Sequence, residues 1–341
     1  MHYHMLQNPE KGKSIRVRFR PFENKDAPEF IRCVHSEYAD TYFKRSFYQA
    51  ETFIEENESG HIRFLTAELD NGEIAGMMAI KRFLPREDMC EIASAIFKQE
   101  YRGYHMSWPF FQYVMEIVDL MKVSAACCLP VVFHKITEVP MERLGLIPCG
   151  FIFSVFLMKN IQHSYPKDEN LKHPQGVMIQ MKEKKDAGVL FLPQIHLDFA
   201  AKLYGDLGAK FSFGSGQPEL YGESQLFFVN DSLQQNCAIH VDHAGADLVS
   251  RILEIRAAHT APYQTFNVFL NVSDNSAPIA YQEIIKLGYF FTGFQPLCSA
   301  REIMILHDPQ NVPLHLDDFV LTERFHKVLD YIKLFNQGIR C

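Results

Sequence analysis

Leu144-Gly145-Leu146-Ile147-Pro148-Cys149-Gly150-Phe151 recurs as Leu287-Gly288-Tyr289-Phe290-Phe291-Thr292-Gly293-Phe294, each copy after a helical pattern and each opening an apolar strand. A glycine just past a helix takes the left-handed conformation that ends it, and a second glycine lets a strand run close to neighbouring backbone. The recurrence predicts two related domains, which a length of 341 residues also favours. It implies shared architecture and says nothing about shared chemistry.

Working outward from the first copy, alternation predicts a strand over 15–19, and Asp26-Ala27-Pro28-Glu29 sets a cap, an early proline and a first-turn acid for a helix to about Tyr38. A second helix is expected over 49–58. Strands over 62–69 and 73–82 flank Asp70-Asn71-Gly72, a hairpin signal because Asn-Gly tolerates positive φ. A strand over 90–97, a polar loop over 98–105 and a helix over 106–121 with Phe110, Phe111, Val114, Met115 and Val118 at helical spacing come next. The apolar run 125–133 suits a central strand, followed by a short helix to Leu144 and the repeat strand to Met158.

Residues 160–175 are polar and carry Pro166 and Pro174, as an interdomain linker does. The expected division is therefore 1–159, the linker 160–175, a second domain over 176–310 and a C-terminal helical segment over 311–341. In the second domain helices are expected over 194–207, 246–258 and 277–287, and strands over 225–229, 236–241 and 266–272. A last helix over 322–335 places Phe325, Val328, Leu329 and Ile332 on one face.

Apolar residues make up 47% of the chain and charged residues 22%, enough for a full core. The net charge is -7 and no long basic stripe is present, which argues against nucleic acid as a partner. Lys11, Lys13, Arg16, Arg18 and Arg20 read as a solvated strand face. The eight cysteines (33, 90, 127, 128, 149, 237, 298 and 341) form no C-x-x-C pair and read as reduced core thiols. No stretch approaches the roughly 18 apolar residues needed to span a bilayer, so no membrane partner and a cytoplasmic location are expected.

The element order of 15–158, Glu100-Tyr101-Arg102-Gly103 after a strand, and the closing Leu-Gly-x-x-x-x-Gly-Phe together resemble the GNAT N-acetyltransferase superfamily. The resemblance implies an α/β (α+β) fold of two GNAT-like domains, each a mixed, mostly antiparallel twisted sheet flanked by helices. It implies acetyl-CoA or another acyl-CoA as co-substrate, no metal, and a small-molecule or protein amine as acceptor. Carried onto this chain, it assigns pantetheine pairing to the backbone of Ala95, Ile96 and Phe97. The diphosphate falls to the loop Arg102, Gly103, Tyr104, His105, Met106 and Ser107, where a helix start offers unpaired N–H groups and a partial positive charge. His105 stands where the family pattern has glycine.

For catalysis the resemblance points to Glu91, six residues before Phe97, as the base that takes the amine proton. Strand alternation places Glu91 on the face of Ala93, Ala95 and Phe97. His134, where many relatives carry asparagine, is the second candidate, to orient substrate or act as a base through water. The family's tyrosine acid is replaced by Met141, which donates no proton, with Tyr101, Tyr104, a cysteine or water as alternatives; Pro140 shortens that helix. Cys127 and Cys128 read as core. In the second domain the loop position is Asp242-His243-Ala244-Gly245 and the tyrosine position is Ile284, so that copy reads as degenerate.

Three activities stay open on these residues: acetyl transfer to a primary amine, aminoacyl or longer acyl transfer, and a decayed module that binds acyl-CoA or a protein partner without turnover. Unpaired outer strands also leave a homodimer open.

Overall fold

The computed structural model describes residues 3–83, 86–157, 172–183, 186–297, 301–310 and 312–335. The chain divides into two compact units, one of residues 3–129 with 139–146, the other of 130–138, 147–157 and the residues from 172 onward. The repeat strand expected to close the first domain thus groups with the second unit. Residues 160–171 of the expected linker lie outside the described residues, and 172–175 begin a strand.

The first unit's sheet has the order β1-β2-β3-β4-β5-β6, with β1 Tyr3–Asn8, β2 Lys13–Pro21, β3 Ile62–Leu69, β4 Ile74–Phe83, β5 Arg86–Phe97 and β6 Ala125–Cys128. All neighbours are antiparallel except β5 and β6. The Asn71-Gly72 turn joins β3 and β4 as its sequence demands, with Gly72 at φ +84°. Helices α1 (Ala27–Tyr38) and α2 (Ala50–Ser59) cover one sheet face through Phe22, Phe30, Phe47, Phe53 and Phe64, all buried and packed edge-on or tilted at 5–6 Å. Burial of each such ring contributes about 2–3 kcal/mol. Helix α3 (Ser107–Leu120) connects β5 to its parallel neighbour β6, and α4 is Glu138–Arg143.

The basic run at the start of β2 is not all solvated. Arg20 is buried, its guanidinium donating to Asp26 at 2.6 and 2.8 Å and to Glu68 at 2.7 Å. Asp26 stands at the N-cap of α1 as expected, but its carboxylate serves Arg20 and the Glu23 amide rather than the helix. Burial opposes ionisation of Glu68, yet the hydrogen bonds from Arg18 and Arg20 hold its carboxyl down to about 2.

The second unit's main sheet has the order β8-β7-β14-β15-β13-β12-β11. Its strands are β7 Ile147–Leu157, β8 Lys172–Met181, β11 Gln225–Asp231, β12 Asn236–His243, β13 Thr265–Asn271, β14 Phe290–Gln295 and β15 Ile303–Asp308. Strands β9 (Asp186–Leu190) and β10 (Lys210–Phe213) form a separate parallel pair. Helices α5 (Leu197–Asp206), α6 (Leu248–Ala258), α7 (Ala277–Lys286) and α8 (Glu323–Phe335) match their expected positions to within a few residues. Among the described residues β12 and β13 are the one parallel pair of the main sheet, and α6 joins them as α3 joins β5 to β6.

The two repeat strands meet each other. β7 and β14 pair antiparallel at Gly150 and Gly293, so close that a β-carbon on Gly150 would sit 2.6 Å from the Gly293 α-carbon. The first glycines of the repeat, Gly145 and Gly288, end α4 and α7 at φ +94° and +96°. Both features follow from the lack of a side chain.

Candidate functional site

The site expected in the first unit rests on β5. This strand pairs with β6 only over Met89–Ile92, because β6 ends at Cys128 and Pro130 lacks the N–H that a longer ladder needs. The apolar run 125–133 is therefore a four-residue strand, not a long one. Among the described residues, β5 beyond Ile92 has a ladder partner within its unit only on the β4 side, and there the register shifts. Ala93 opposes Ala79 and Ile96 opposes Met77, so one extra residue bulges from β5, with Ser94 at φ +52°.

The bulge reverses which way the residues after it face. Met77, Ala79 and Ile96 lie in the core beneath α1 and α2, and register places Ala93 and Glu91 on that same face. Phe97 points the opposite way, against Phe110 of α3. The uniform alternation expected for Glu91, Ala93, Ala95 and Phe97 is corrected accordingly. Ala93, Ser94, Ala95 and Phe97 are partly exposed, while Ile96 is buried.

Glu91 accepts a hydrogen bond from Lys81 Nζ at 2.8 Å, a cross-strand pair set by the β4–β5 register. Tyr42 lies near it, buried, hydrogen-bonded to Ser94 and pushed up to about 12 by burial. His134 is not brought to Glu91 within one unit: it belongs to the segment 130–138 of the second unit, its ring edge-on to Phe133 at 5.2 Å. Cys127 is fully buried opposite Glu91 on β6, and burial pushes its thiol well up, as in a core residue.

From Phe97 the chain passes into the loop 98–106 and then α3. Gly103 is at φ +83° and His105 at φ +54°, so position 105 keeps a glycine-like backbone despite its imidazole, which is exposed. Among the described residues the amides of Gly103, Tyr104, His105, Met106 and Ser107 donate to no protein acceptor. Such a cluster at the start of a 14-residue helix is an anion-binding geometry. Asn8 of β1 clamps the loop, donating to Arg102 O at 3.2 Å, and its side chain fills the space a Gly103 β-carbon would need.

Arg102 is half exposed and ion-paired with Glu37 of α1. Tyr101 is a poor proton donor. Burial and a 2.8 Å hydrogen bond to the Glu73 carboxylate push its phenol well up. Tyr104, Met106 and Met141 are buried.

The corresponding loop of the second unit is closed. Ala244 N donates to Ser276 Oγ (3.0 Å), Gly245 N to Ser224 Oγ (2.9 Å) and Ala246 N to Gly222 O (2.9 Å). Asp242 is paired with Arg301 at 2.6 Å, and His243 with Asp274 at 3.1 Å. The parallel pair stays zipped from Asn236 to Val241, two residues short of the end of β12, and Asn271 Nδ2 adds a bond to Asp242 O. Helix starts of the two units thus differ in the property an anion needs: unspent amides.

The ion pairs Lys81–Glu91 and Arg102–Glu37, and Asn8 at the end of β1, were not legible as site residues. None of these had a sequence signal: counting back from Phe83 opposite Arg86 would put Lys81 opposite Asp88, and it is the register shift between Arg82 and Phe83 that brings it opposite Glu91.

No protein-family model matches this chain, and no curated protein does. Similar solved structures include the N-acetyltransferase from Staphylococcus aureus Mu50, 11% identical, covering 49% of this chain and 99% of that one at a TM-score of 0.40. The ribosomal-protein-alanine N-acetyltransferase from Brucella melitensis is 15% identical over 48% of this chain and 99% of its own, at 0.39. The ribosomal-protein-S5-alanine acetyltransferase from Vibrio fischeri is 8% identical over 54% and 98%, at 0.40.

Proposed function

We propose that the protein is an acyl-CoA-dependent N-acyltransferase of the GNAT type, working in its first unit and moving acetyl from acetyl-CoA to a primary amine by direct attack in a ternary complex. The observation that carries this reading is the open side of β5 beyond the Ser94 bulge, running into the loop whose five amides are unspent. The backbone of Ala95, Ile96 and Phe97 holds the pantetheine arm, and the amides of 103–107 with Arg102 hold the diphosphate. Glu91, directly or through water, takes the amine proton as nitrogen bonds to the thioester carbon. The thiolate then leaves as the tetrahedral adduct collapses. The second unit, with its closed loop, is a degenerate GNAT-like copy in a tandem arrangement.

Calorimetric titration with acetyl-CoA tests the site. One-to-one binding is expected, and Arg102→Glu lowers the affinity at least tenfold, about 1.4 kcal/mol, by facing the diphosphate with a second acid beside Glu37. Unchanged affinity in that variant sinks the loop assignment. Glu91→Gln keeps coenzyme affinity but lowers kcat at least tenfold. A kcat equal to the parent's removes Glu91 from the reaction.

A second reading, acyl-CoA binding without turnover, is favoured by one feature. Met141 has no proton to give and Tyr101 is tied to Glu73, which leaves the departing thiolate the buried Tyr104, a cysteine or water to protonate it. Coenzyme binding with no product across an amine panel would select that reading.

A further inference from the structure

Amides at a loop stay unspent only when the carbonyls beside them are satisfied from elsewhere, since a free carbonyl in a turn draws the next available N–H. The carbonyl that could close the turn before α3 is that of Arg102, three residues ahead of the His105 amide, which is the span of a β-turn hydrogen bond. It accepts instead from Asn8 Nδ2 at 3.2 Å. Asn8 is buried at the end of β1, and its Oδ1 accepts in turn from Lys11 N at 3.0 Å across the tip of the β1–β2 hairpin. Among the described residues no other hydrogen bond reaches the backbone between Arg102 N, which donates to Gln99 O, and Met106 O, which accepts from Phe110 N. The second unit shows the alternative, where a main-chain carbonyl, Gly222 O, takes the Ala246 amide.

Asn8 also shapes the turn. Its amide nitrogen fills the space beside the Gly103 α-carbon, where an added β-carbon would come within 2.6 Å, and Gly103 at φ +83° leads to His105 at φ +54°. An L-residue holds the latter conformation where its surroundings impose it. Burial of Tyr104 and Met106 anchors the side chains on either side of His105, and Asn8 anchors the backbone. We propose that Asn8 is a positioning residue for the coenzyme: by taking the Arg102 carbonyl it keeps the amides of 103–107 free for a diphosphate and holds His105 in a conformation natural to glycine. This rests on the acyl-transfer reading, in which that loop receives the coenzyme.

The test titrates acetyl-CoA and, as a probe of the amides alone, inorganic pyrophosphate into the full chain. Asn8→Leu keeps the bulk and removes the donor, and both affinities are expected to fall about tenfold as the turn closes on the Arg102 carbonyl. His105→Gly added to Asn8→Leu restores about threefold or more of each, and more than it gains in the parent, because glycine keeps a positive φ without the clamp. Thermal melts followed by Trp108 emission confirm that the first unit folds, and Asn8→Ala, expected to behave alike, covers the case in which leucine does not fit. Equal affinities in the parent and the Asn8 variants, or a loss that His105→Gly leaves untouched, overturns the proposal. The two probes separate the levels. Acetyl-CoA bound alike with and without Asn8 refutes the clamp alone. Pyrophosphate binding that follows Asn8 and His105 with no acetyl-CoA binding upholds the clamp and refutes the acyl-transfer reading, and binding of neither probe by the parent refutes both.

Discussion

Gly293→Ala is expected to destabilise the second unit by about 3–5 kcal/mol, lowering its melting temperature by roughly 10 °C or more. The new β-carbon would lie 2.3 Å from the Gly150 α-carbon and 2.7 Å from Cys149 O, and neither obstacle is a side chain that can swing aside. Gly293 also holds φ at +136°, a conformation that alanine enters only under strain. Gly188→Ala separates the two costs. Gly188 is at φ +73° with nothing within 4 Å of its added β-carbon, so that variant bears only the backbone term, about 1 kcal/mol. Comparable melting shifts in both variants would show that the β7–β14 contact is not the cause.

Acidification is expected to unfold the protein in two steps, the second unit first. Burial lowers His173, His196 and His240 to about 4 and His307 to about 3. Packing keeps them neutral: His196 is bonded to Tyr331 and Tyr281 at 2.9 and 3.0 Å and stacked on Phe291, and His307 is bonded to Asn267. Each has a folded value below the unfolded 6.5, so the unfolded chain binds more protons between those values. Stability is therefore whole above about pH 6.5 and falls as the pH drops toward 4.

A fully buried neutral histidine shifted this far contributes up to roughly 3 kcal/mol, and several together rival the whole stability of a domain, about 5–15 kcal/mol. No described histidine of the first unit is buried. Its acid-sensitive groups are Glu68, held at about 2, and Glu73, held down against burial by hydrogen bonds from Lys98 and Tyr101; their contributions are lost only below the unfolded value near 4.5. Trp108, the chain's single tryptophan, lies in α3 and reports the first unit alone. Far-ultraviolet circular dichroism should change between pH 6.5 and 4 while Trp108 emission holds until lower pH. Coincident transitions below pH 4 would show that the histidines are not held neutral.

Much of this architecture could be read before any coordinates. The Asn71-Gly72 hairpin, the amphipathic α3, α7 and α8 and both repeat glycines lie within a few residues of where local sequence puts them, because each depends on short-range chemistry. What local pattern missed depends on partners distant in sequence. Pro174 reads as a linker residue, yet it lies inside β8, between His173 opposite Phe156 and Gln175 opposite Ile152, where the ladder is already broken and no N–H is needed. The Ser94 bulge is invisible to a period-two pattern and changes which side chains share a face with Glu91. Arg102 was legible as a loop residue, but its pairing with Glu37 on α1 was not, and Asn8 carries no motif at all.

The meeting of Gly150 and Gly293 also bears on descent. The two residues hold the same place in the repeat, and each is the obstacle that keeps the other a glycine. A lineage cannot relax one position by first altering its partner, since any side chain gained on either strand strikes the backbone of the other. The pair is therefore inherited or lost together. Related chains in which one glycine has been replaced should also have separated the two strands, which makes this dipeptide contact a marker for recognising the arrangement where overall sequence likeness has faded.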